Sequence, residues 1–184
     1  MSKQTFLTDV KTLRKRARQH MEEGAVTPSY GGDTETAITV LNDALATEIV
    51  CVLRYKRHYF MARGIHAAPV AAEFLEHAKE EQAHADRLSE RIVQLGGAPN
   101  LSPEGLLSRS HTEYVEAKDD LIEMIKENLV AERIAIESYR EIGTYFAAFD
   151  STTRKLIEKI QAEEEEHADD LADLLKGLTR EMKH

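Results

Sequence analysis

Apolar side chains recur every three or four positions along most of the chain, which is the spacing of one face of an α-helix. No stretch shows the alternation of apolar and polar residues that marks a β-strand. The pattern predicts four long helices, over residues 34–62, 69–95, 110–147 and 150–178. Because the connections within each pair are short, neighbouring helices should run antiparallel in an all-α four-helix bundle.

Residues that favour helix ends mark the predicted boundaries. The expected starts are Asp33 as a cap, Pro69 as a first helical residue, Ser110 and Glu113 as a capping box, and Asp150 or Ser151 as a cap. Gly96-Gly97 should end the second helix. Ser102 followed by Pro103 predicts a short helix in the connection between the second and third long helices.

Each apolar stripe is interrupted near its middle by a glutamate, or by a glutamate followed three residues later by a histidine. The interrupting residues are Glu48, Glu81 with His84, Glu132, and Glu164 with His167. Residues three apart lie on the same helix face about one turn from each other. Each Glu-x-x-His pair can therefore reach a common ligand inside the bundle.

The interruptions belong to an internal repeat. KEEQAHADRL, which begins at Lys79, returns as AEEEEHADDL at Ala162, 83 positions later. LATEIVCVLRY at Leu45 matches LVAERIAIESY at Leu129, 84 positions later. The chain thus contains two copies of one helical hairpin, and each copy supplies a Glu and then a Glu-x-x-His.

Four carboxylates in one core cannot stay bare, because each buried anion costs several kcal/mol. They must take up protons or bind cations, and two divalent cations would balance four glutamates and two neutral histidines. A Glu from each of two helices with Glu-x-x-His from the other two is a known ligand set for a pair of metal ions in a helical bundle. The sequence therefore predicts a two-metal centre in the core.

Size and composition fit a single all-helical domain of 184 residues. The formal net charge of -9 argues against a surface that is mainly for nucleic acid. The single Cys51 excludes an intrachain disulfide framework and a cysteine-based zinc site. No run of 18 apolar residues is present, so no membrane span and a cytoplasmic location are expected. Residues 1–33 are predicted to be a basic extension, and 34–184 the bundle.

At these residues the chain resembles the ferritin-like superfamily, and in particular Dps-like mini-ferritins that carry a bacterioferritin-type di-iron ferroxidase centre. The resemblance covers about residues 34–180. It implies two iron ions per subunit, with Glu81 and Glu164 as bridges. Glu48 and His84 would complete one iron site, and Glu132 and His167 the other. It also implies that Glu80 and Glu163 hydrogen-bond the ligand histidines.

The resemblance further implies an Fe(II) oxidase that uses H2O2 or O2, stores ferric mineral in a hollow shell and protects against oxidative stress. Gln82 stands where haem-binding bacterioferritins have a methionine, so no haem is predicted there. Only 17 residues follow His167, too few for the fifth helix of 24-subunit ferritins. A homo-oligomer of 12 subunits is therefore favoured over one of 24.

Two alternatives stay open. The same ligands suit manganese, so the protein could instead be a di-manganese catalase or an oxygen-activating oxidase. It could also be a DNA-binding shell protein that buffers metal, with DNA held by the basic residues 3–18. A helix in that segment, packed on a neighbouring subunit, is the competing interpretation.

Several residues near the predicted centre are assigned no ligand role. Tyr55 and Tyr139 are predicted to be core residues, although Tyr55 matches a tyrosine near the centre in the family that the chain resembles. Glu73 and His77 are expected at the surface or margin. The remaining histidines with no ligand spacing are expected to be exposed; they are His58, His66, His111 and His184.

Overall fold

The computed structural model describes residues 8–117 and 120–181, and all regular structure within them is helical. The helices are α1 (Val10–Arg16), α2 (Thr34–Met61), α3 (Ala67–Gln94), α4 (Leu106–Arg109), α5 (Leu121–Phe146) and α6 (Ser151–Glu181), with a 3-10 turn at Met21–Glu23. The predicted all-α class is confirmed. Helices α2, α3, α5 and α6 form the bundle, with α2 packed on α3 and α5 on α6.

The first and last bundle helices begin where their capping residues predict. Asp33 accepts a hydrogen bond from the backbone N–H of Thr36 at 3.0 Å, one residue before α2 begins. Asp150 accepts one from the N–H of Thr153 at 2.8 Å, and α6 begins at Ser151. Each carboxylate satisfies a backbone donor that the first helical turn leaves unpaired.

The predicted start of the third long helix at Ser110 is wrong. Helix α5 begins at Leu121, where Asp120 accepts from the backbone N–H groups of the first turn. Ser110 instead forms a local turn, because its hydroxyl bonds both the N–H and the carbonyl of Thr112. The pattern of a capping box is present in the sequence, but the segment has other partners in the fold.

Those partners are polar side chains on α2. Thr47 accepts from the N–H of His111 at 2.9 Å, and Arg54 donates to the carbonyl of Glu113 at 2.9 Å. His58 lies 3.0 Å from the carbonyl of Val115 through Nε2. Because Arg54 and His58 are buried, they need these acceptors, and the segment runs extended along α2 to supply them. The expected exposure of His58 is wrong for the same reason.

Two other boundaries differ slightly from the sequence pattern. The short helix in the long connection is present, but α4 begins at Leu106 after Gly105, whose φ of 68° is left-handed. Ser102 does not cap it; its hydroxyl accepts from the N–H of Glu104 in a preceding turn. Helix α3 begins at Ala67, so Pro69 lies within its first turn, where the missing N–H costs nothing.

The apolar core consists of two clusters. One contains Leu41, Leu88 and Phe146 and lies towards the start of α2. The other contains Tyr55, Phe74 and Leu171 and lies towards its end. By its length and its apolar composition alone, helix α2 could cross a membrane. However, 56% of its most apolar 18-residue stretch is buried within the bundle. Its apolar face is thus used for packing.

The N-terminal segment touches the bundle before α2 begins. Val26 and Tyr30 pack against the first core cluster, and the Tyr30 hydroxyl donates to Asp150 at 3.0 Å. Helix α1 has no buried residue; Val10 and Leu13 are exposed. Lys3 and Phe6 lie outside the described residues, as does His184. The division of the chain at residues 33 and 34 stays a prediction.

Candidate metal centre

The six predicted ligands lie at the middle of the four bundle helices, between the two apolar clusters. Helix α2 supplies Glu48, α3 supplies Glu81 and His84, α5 supplies Glu132, and α6 supplies Glu164 and His167. None is more than 3% exposed. The fold therefore brings all six together in one buried polar layer, as their position in the apolar stripes indicates.

The layer divides into two groups of four potential ligands that share two members. Glu48, Glu81, His84 and Glu164 can each place one nitrogen or oxygen within 4.8 Å of the others. Glu81, Glu132, Glu164 and His167 form the second group by the same criterion. Glu81 and Glu164 belong to both, which is the position that bridging carboxylates would take.

An outer carboxylate contacts each histidine of the layer, and it comes from the opposite repeat. Nε2 of His167 lies 2.8 Å from Glu80 Oε2, and Nε2 of His84 lies 3.0 Å from Glu163 Oε2. Each contact places the Nε2 proton towards the outer carboxylate, so Nδ1 is the nitrogen that faces the layer. The hydrogen-bonding positions expected for Glu80 and Glu163 are thus found.

Two tyrosines also contact the layer, across the bundle from their own repeat. The Tyr55 hydroxyl donates to Glu132 Oε1, and the Tyr139 hydroxyl donates to Glu48 Oε1. Both rings are buried, so their assignment to the core is correct. Each hydroxyl also fixes one oxygen of a carboxylate and leaves the second oxygen directed at the layer. This contact with the opposite helix could not be read from positions along one helix.

Within the described residues, five buried atoms of the layer have no hydrogen-bond partner. They are Glu81 Oε1, Glu81 Oε2, Glu132 Oε2, Glu164 Oε2 and His167 Nδ1. An unpaired buried polar atom costs about 1–3 kcal/mol, and more when it is charged. Four carboxylate oxygens and one imidazole nitrogen that converge without donors fit divalent cations of the Fe(II), Mn(II) or Zn(II) type.

The electrostatics favour protons on several members of the layer, and cations would replace these protons. Burial and the charge of Glu81 raise the pKa of Glu48 to about 8. Burial, with Glu81 and Glu164, raises the pKa of Glu132 well above its usual range. Burial opposes a charge on His167, but contacts with Glu164 and Glu81 outweigh it and raise that pKa to about 12. Cation binding would release such protons.

An open cleft between α3 and α6 leads to the layer. It has a volume of about 620 Å³. Its lining includes His84 and His167 from the layer and six carboxylates, with only two cationic side chains; the full set of charged residues is Glu73, Glu76, Glu80, Glu163, Glu166, Asp170, Arg87 and Lys159. The excess of negative charge would concentrate cations at the opening.

Sequence comparison agrees with this geometry. The family model described as a ferritin-like domain matches residues 38–181. The chain belongs to the ferritin-like family. The match includes all six residues of the buried layer and, apart from the first turn of α2, every helix of the bundle.

The ferritin-like chain is similar to curated bacterioferritins. It is 30% identical to a bacterioferritin of Mycobacterium bovis over 150 residues, which are 81% of this chain and 89% of that protein. It is 29% identical to a bacterioferritin of Rhodobacter capsulatus over 139 residues, which are 75% of this chain and 81% of that one. It is also 29% identical to a nutrient stress-induced DNA-binding protein of Synechococcus over 77% of this chain and 84% of that protein.

Solved structures give the same family. A dodecameric thioferritin, the bacterioferritin-related protein of Bacteroides fragilis, is 34% identical with a TM-score of 0.79, over 82% of this chain and 90% of that one. Rhodobacter capsulatus bacterioferritin, solved with a metal-free dinuclear site and a haem iron, is 28% identical with a TM-score of 0.71. The match covers 81% of this chain and 88% of that one. The Dps of Thermosynechococcus elongatus shares the fold. It is 22% identical with a TM-score of 0.74, over 77% of this chain and 90% of that one.

One residue beside the ferritin-like layer departs from expectation. His77, predicted at the surface or margin, is 1% exposed, and its ring stacks on His167 with the centroids 4.1 Å apart. Its place four residues before Glu81 is the signal that could have located it. That signal is weak because the second repeat has Ile160 at the matching position. Glu73, predicted with it, is only partly exposed.

Proposed function

We propose that this protein is a ferroxidase that binds two Fe(II) ions per chain, oxidises them with H2O2 or O2 and stores the ferric product. The observation that carries the proposal is the buried layer of four carboxylates and two imidazoles, with five atoms that lack a partner within the described chain. Membership of the ferritin-like family and similarity to bacterioferritins support it. Protection against oxidative stress would follow, since the reaction removes both Fe(II) and oxidant.

In this proposal each group of potential ligands takes one Fe(II). Glu48 and His84 hold the first ion, Glu132 and His167 hold the second, and Glu81 and Glu164 bridge them. The six are the residues in direct contact with the substrate metal, so they are also the proposed catalytic residues. Manganese fits the same oxygen and nitrogen donors, and a di-manganese catalase or oxidase remains the competing activity.

Two adjacent metal sites suit a two-electron oxidant. With peroxide, two Fe(II) and H2O2 take up two protons and give two Fe(III) and two molecules of water. With dioxygen, two Fe(II), O2 and two protons give two Fe(III) and H2O2. In both cases the electrons leave as a pair, so no hydroxyl radical is released. Hard carboxylate ligands favour the ferric product, and the acidic cleft would attract further Fe(II).

The outer residues of the centre would orient the ligands. Glu80 and Glu163 hold the histidine rings through Nε2, so each Nδ1 faces the ion that it would bind. Tyr55 and Tyr139 hold one oxygen each of Glu132 and Glu48. Haem is not part of the proposal. Gln82 is exposed and donates to Asp86 at 2.9 Å, and the absence of haem stays a prediction.

We propose that storage takes place in a hollow cytoplasmic shell of twelve chains. The dodecameric relative of Bacteroides fragilis supports this number over twenty-four. Several large apolar side chains are exposed on the single chain, and Phe60 at 73% and Ile65 at 93% are the most exposed of them near the connection from α2 to α3. In the proposed shell, contacts between chains would cover these side chains.

DNA binding is a second candidate function, and the similarity to the Synechococcus DNA-binding protein favours it. Lys11, Arg14, Lys15 and Arg16 are all exposed on α1. Twelve such segments on one particle could bind DNA by multivalency. Binding should weaken steeply as salt rises, because phosphate contacts release counterions. Fluorescence anisotropy of labelled duplex DNA across a salt series would test it, and no binding at low salt would exclude it.

Anaerobic loading with Fe(II), followed by oxidant, tests the ferroxidase proposal. We expect two Fe(II) per chain to be oxidised rapidly, with absorbance in the near ultraviolet as ferric product forms. O2 and H2O2 should be added in separate experiments at matched concentrations, so that the faster one identifies the oxidant. Loading with Mn(II) and measuring O2 release from H2O2 tests the competing activity. Manganese-dependent O2 release without rapid Fe(II) oxidation would reject the ferroxidase.

A further inference from the structure

Another group of potential metal ligands lies at the cleft, outside the buried layer. Glu73, His77 and Asp170 can each place one oxygen or nitrogen within 4.8 Å of the other two. Nε2 of His77 lies 3.2 Å from Glu73 Oε1 and 4.0 Å from Asp170 Oδ2. Glu73 and His77 are one turn apart on α3, and Asp170 faces them from α6. None of the three belongs to the six ligands of the centre.

The hydrogen bonds of His77 determine which of its ring nitrogens carries a proton. Nδ1 lies 3.1 Å from the Tyr55 hydroxyl, and that hydroxyl already gives its proton to Glu132. The Tyr55 oxygen can then only accept, so Nδ1 of His77 carries the proton and donates it. This leaves a lone pair on Nε2, the nitrogen that faces Glu73 and Asp170.

The outer group therefore consists of acceptors that face one another. Two carboxylates and an imidazole lone pair converge, and the imidazole belongs to a side chain that is only 2% exposed. A histidine that donates through one nitrogen while the other points at carboxylates has the arrangement of a metal ligand. The buried His77 distinguishes this group from a cluster of solvated acidic side chains.

We propose that Glu73, His77 and Asp170 form a third divalent-cation site at the mouth of the cleft. One imidazole and two carboxylates suit Fe(II), Co(II), Mn(II) or Zn(II). The His77 ring stacks on His167, so the site lies next to the second ion position of the centre. Resting on the proposed ferroxidase, we assign it the role of loading Fe(II) into the buried layer.

Co(II) titration tests the site without any turnover. The E73Q/D170N variant removes two proposed ligands with little change in shape. Within the described residues, no hydrogen bond or ion pair joins Glu73 or Asp170 to the six ligands of the centre. The matched control is E76Q/E166Q, which removes the same two charges from exposed residues of the same cleft. Isothermal titration calorimetry of the wild type should give three Co(II) per chain. We expect two for E73Q/D170N and three for E76Q/E166Q.

Equal stoichiometry for the wild type and E73Q/D170N would overturn the third site, and so would loss of the same ion from E76Q/E166Q. An E48Q/E164Q variant separates this result from a failure of the ferroxidase proposal, because it weakens the centre and keeps the hydrogen bond from Tyr55 to Glu132 that orients His77. We expect it to retain the ion that E73Q/D170N loses. Two ions at the centre with none outside would overturn only the third site, whereas one ion at His77 with none inside would overturn the ferroxidase.

Crystals grown with Co(II) supply a second measurement that does not depend on stoichiometry. Anomalous difference maps of the wild type should show an ion bound to Nε2 of His77 in addition to the pair in the layer. The same map of E73Q/D170N should lack only the outer ion. A wild-type map with density at the pair and none at His77 would overturn the site.

Discussion

At the scale of the residue, burial separates chemically identical side chains. Glu163, Glu164, Glu165 and Glu166 follow one another on α6, yet Glu164 is fully buried while Glu165 and Glu166 are exposed. Glu163 is partly buried, and its outer position lets it contact Nε2 of His84. The apolar stripe of α6 singles out Glu164 in advance, because Ile157, Ile160 and Leu171 fix the face that points inward.

The bridging positions should be the least tolerant of change. We expect Glu81→Ala and Glu164→Ala each to slow Fe(II) oxidation by more than about 100-fold, because even partners outside a metal's ligand shell cost 10–100-fold when removed. Stopped-flow absorbance after mixing with oxidant measures the rate. Glu165→Ala is the control, since Glu165 is exposed and should leave the rate unchanged. A wild-type rate in either bridge variant would contradict the ligand assignment.

At the scale of the element, one carboxylate fixes the start of α6 and ties it to two other parts of the chain. Asp150 caps α6 through Thr153, accepts two bonds from Nη2 of Arg91 at 3.0 and 2.9 Å, and accepts from Tyr30. Asp150 and Arg91 are both buried. The position of α6, and with it that of Glu164 and His167, depends on this group.

Loss of this carboxylate should therefore destabilise the fold. We expect Asp150→Ala to lower the free energy of unfolding by about 3 kcal/mol, because it leaves the Arg91 guanidinium buried without a carboxylate to balance its charge. Urea unfolding followed by circular dichroism measures the change. Asp173→Ala, which breaks an exposed pair with Lys176, is the control and should change stability by less than about 1 kcal/mol. Equal effects of the two substitutions would reject the anchoring role.

The same carboxylate gives a pH dependence with a defined sign. Burial acts to raise the pKa of Asp150, but hydrogen bonds from Thr153 and Arg91 outweigh it, and the pKa is lowered. A lowered pKa in the folded state means that the stabilisation is complete above the unfolded value of about 3.9 and is lost as pH falls below it. Urea unfolding of the wild type should thus lose stability below about pH 4 more steeply than that of Asp150→Asn. If stability fell equally steeply in the wild type and in Asp150→Asn below about pH 4, the result would contradict this role of Asp150.

At the scale of the whole molecule, the polar layer lies between two apolar clusters. Its unpaired buried atoms cost free energy when no cation is bound. Cations that bind the folded state alone would remove that cost and stabilise the fold. The same layer therefore links metal binding to the stability of the entire bundle.

Zn(II), which does not change oxidation state, tests this link. We expect the melting temperature to rise with Zn(II), since ligand at 100 times its Kd stabilises the folded state by about 2.7 kcal/mol. Differential scanning fluorimetry measures the shift. An E48Q/E132Q variant is the control and should show a smaller rise. The same melting temperature with and without Zn(II) would indicate that protons, not metal ions, satisfy the layer.

Assembly is the second property of the whole molecule. Twelve chains of 20.8 kDa would make a particle of about 250 kDa, and closed symmetric assembly is the rule for homo-oligomers. Light scattering coupled to gel filtration measures the mass at neutral pH. A particle of about 500 kDa would replace the dodecamer by a cage of twenty-four. A dimer would remove the storage function and leave the two-metal chemistry intact.

The sequence by itself determined the bundle and the six residues of its polar layer. Helical periodicity is a local property, and the two repeats place the same residue types at the middle of each stripe, so the four helices can meet in only a few ways. The caps Asp33 and Asp150 were also readable, because a cap bonds to a backbone N–H only three residues away.

Only the tertiary structure decided which residues meet across helices. Ser110 loses its role as a cap because buried Arg54 and His58 on α2 need backbone acceptors from the segment that follows it. Tyr55 and Tyr139 contact glutamates of the opposite repeat, and His77 lies against His167 from α6. These contacts join residues far apart in the chain, and the period of one helix holds no information about what faces it from another.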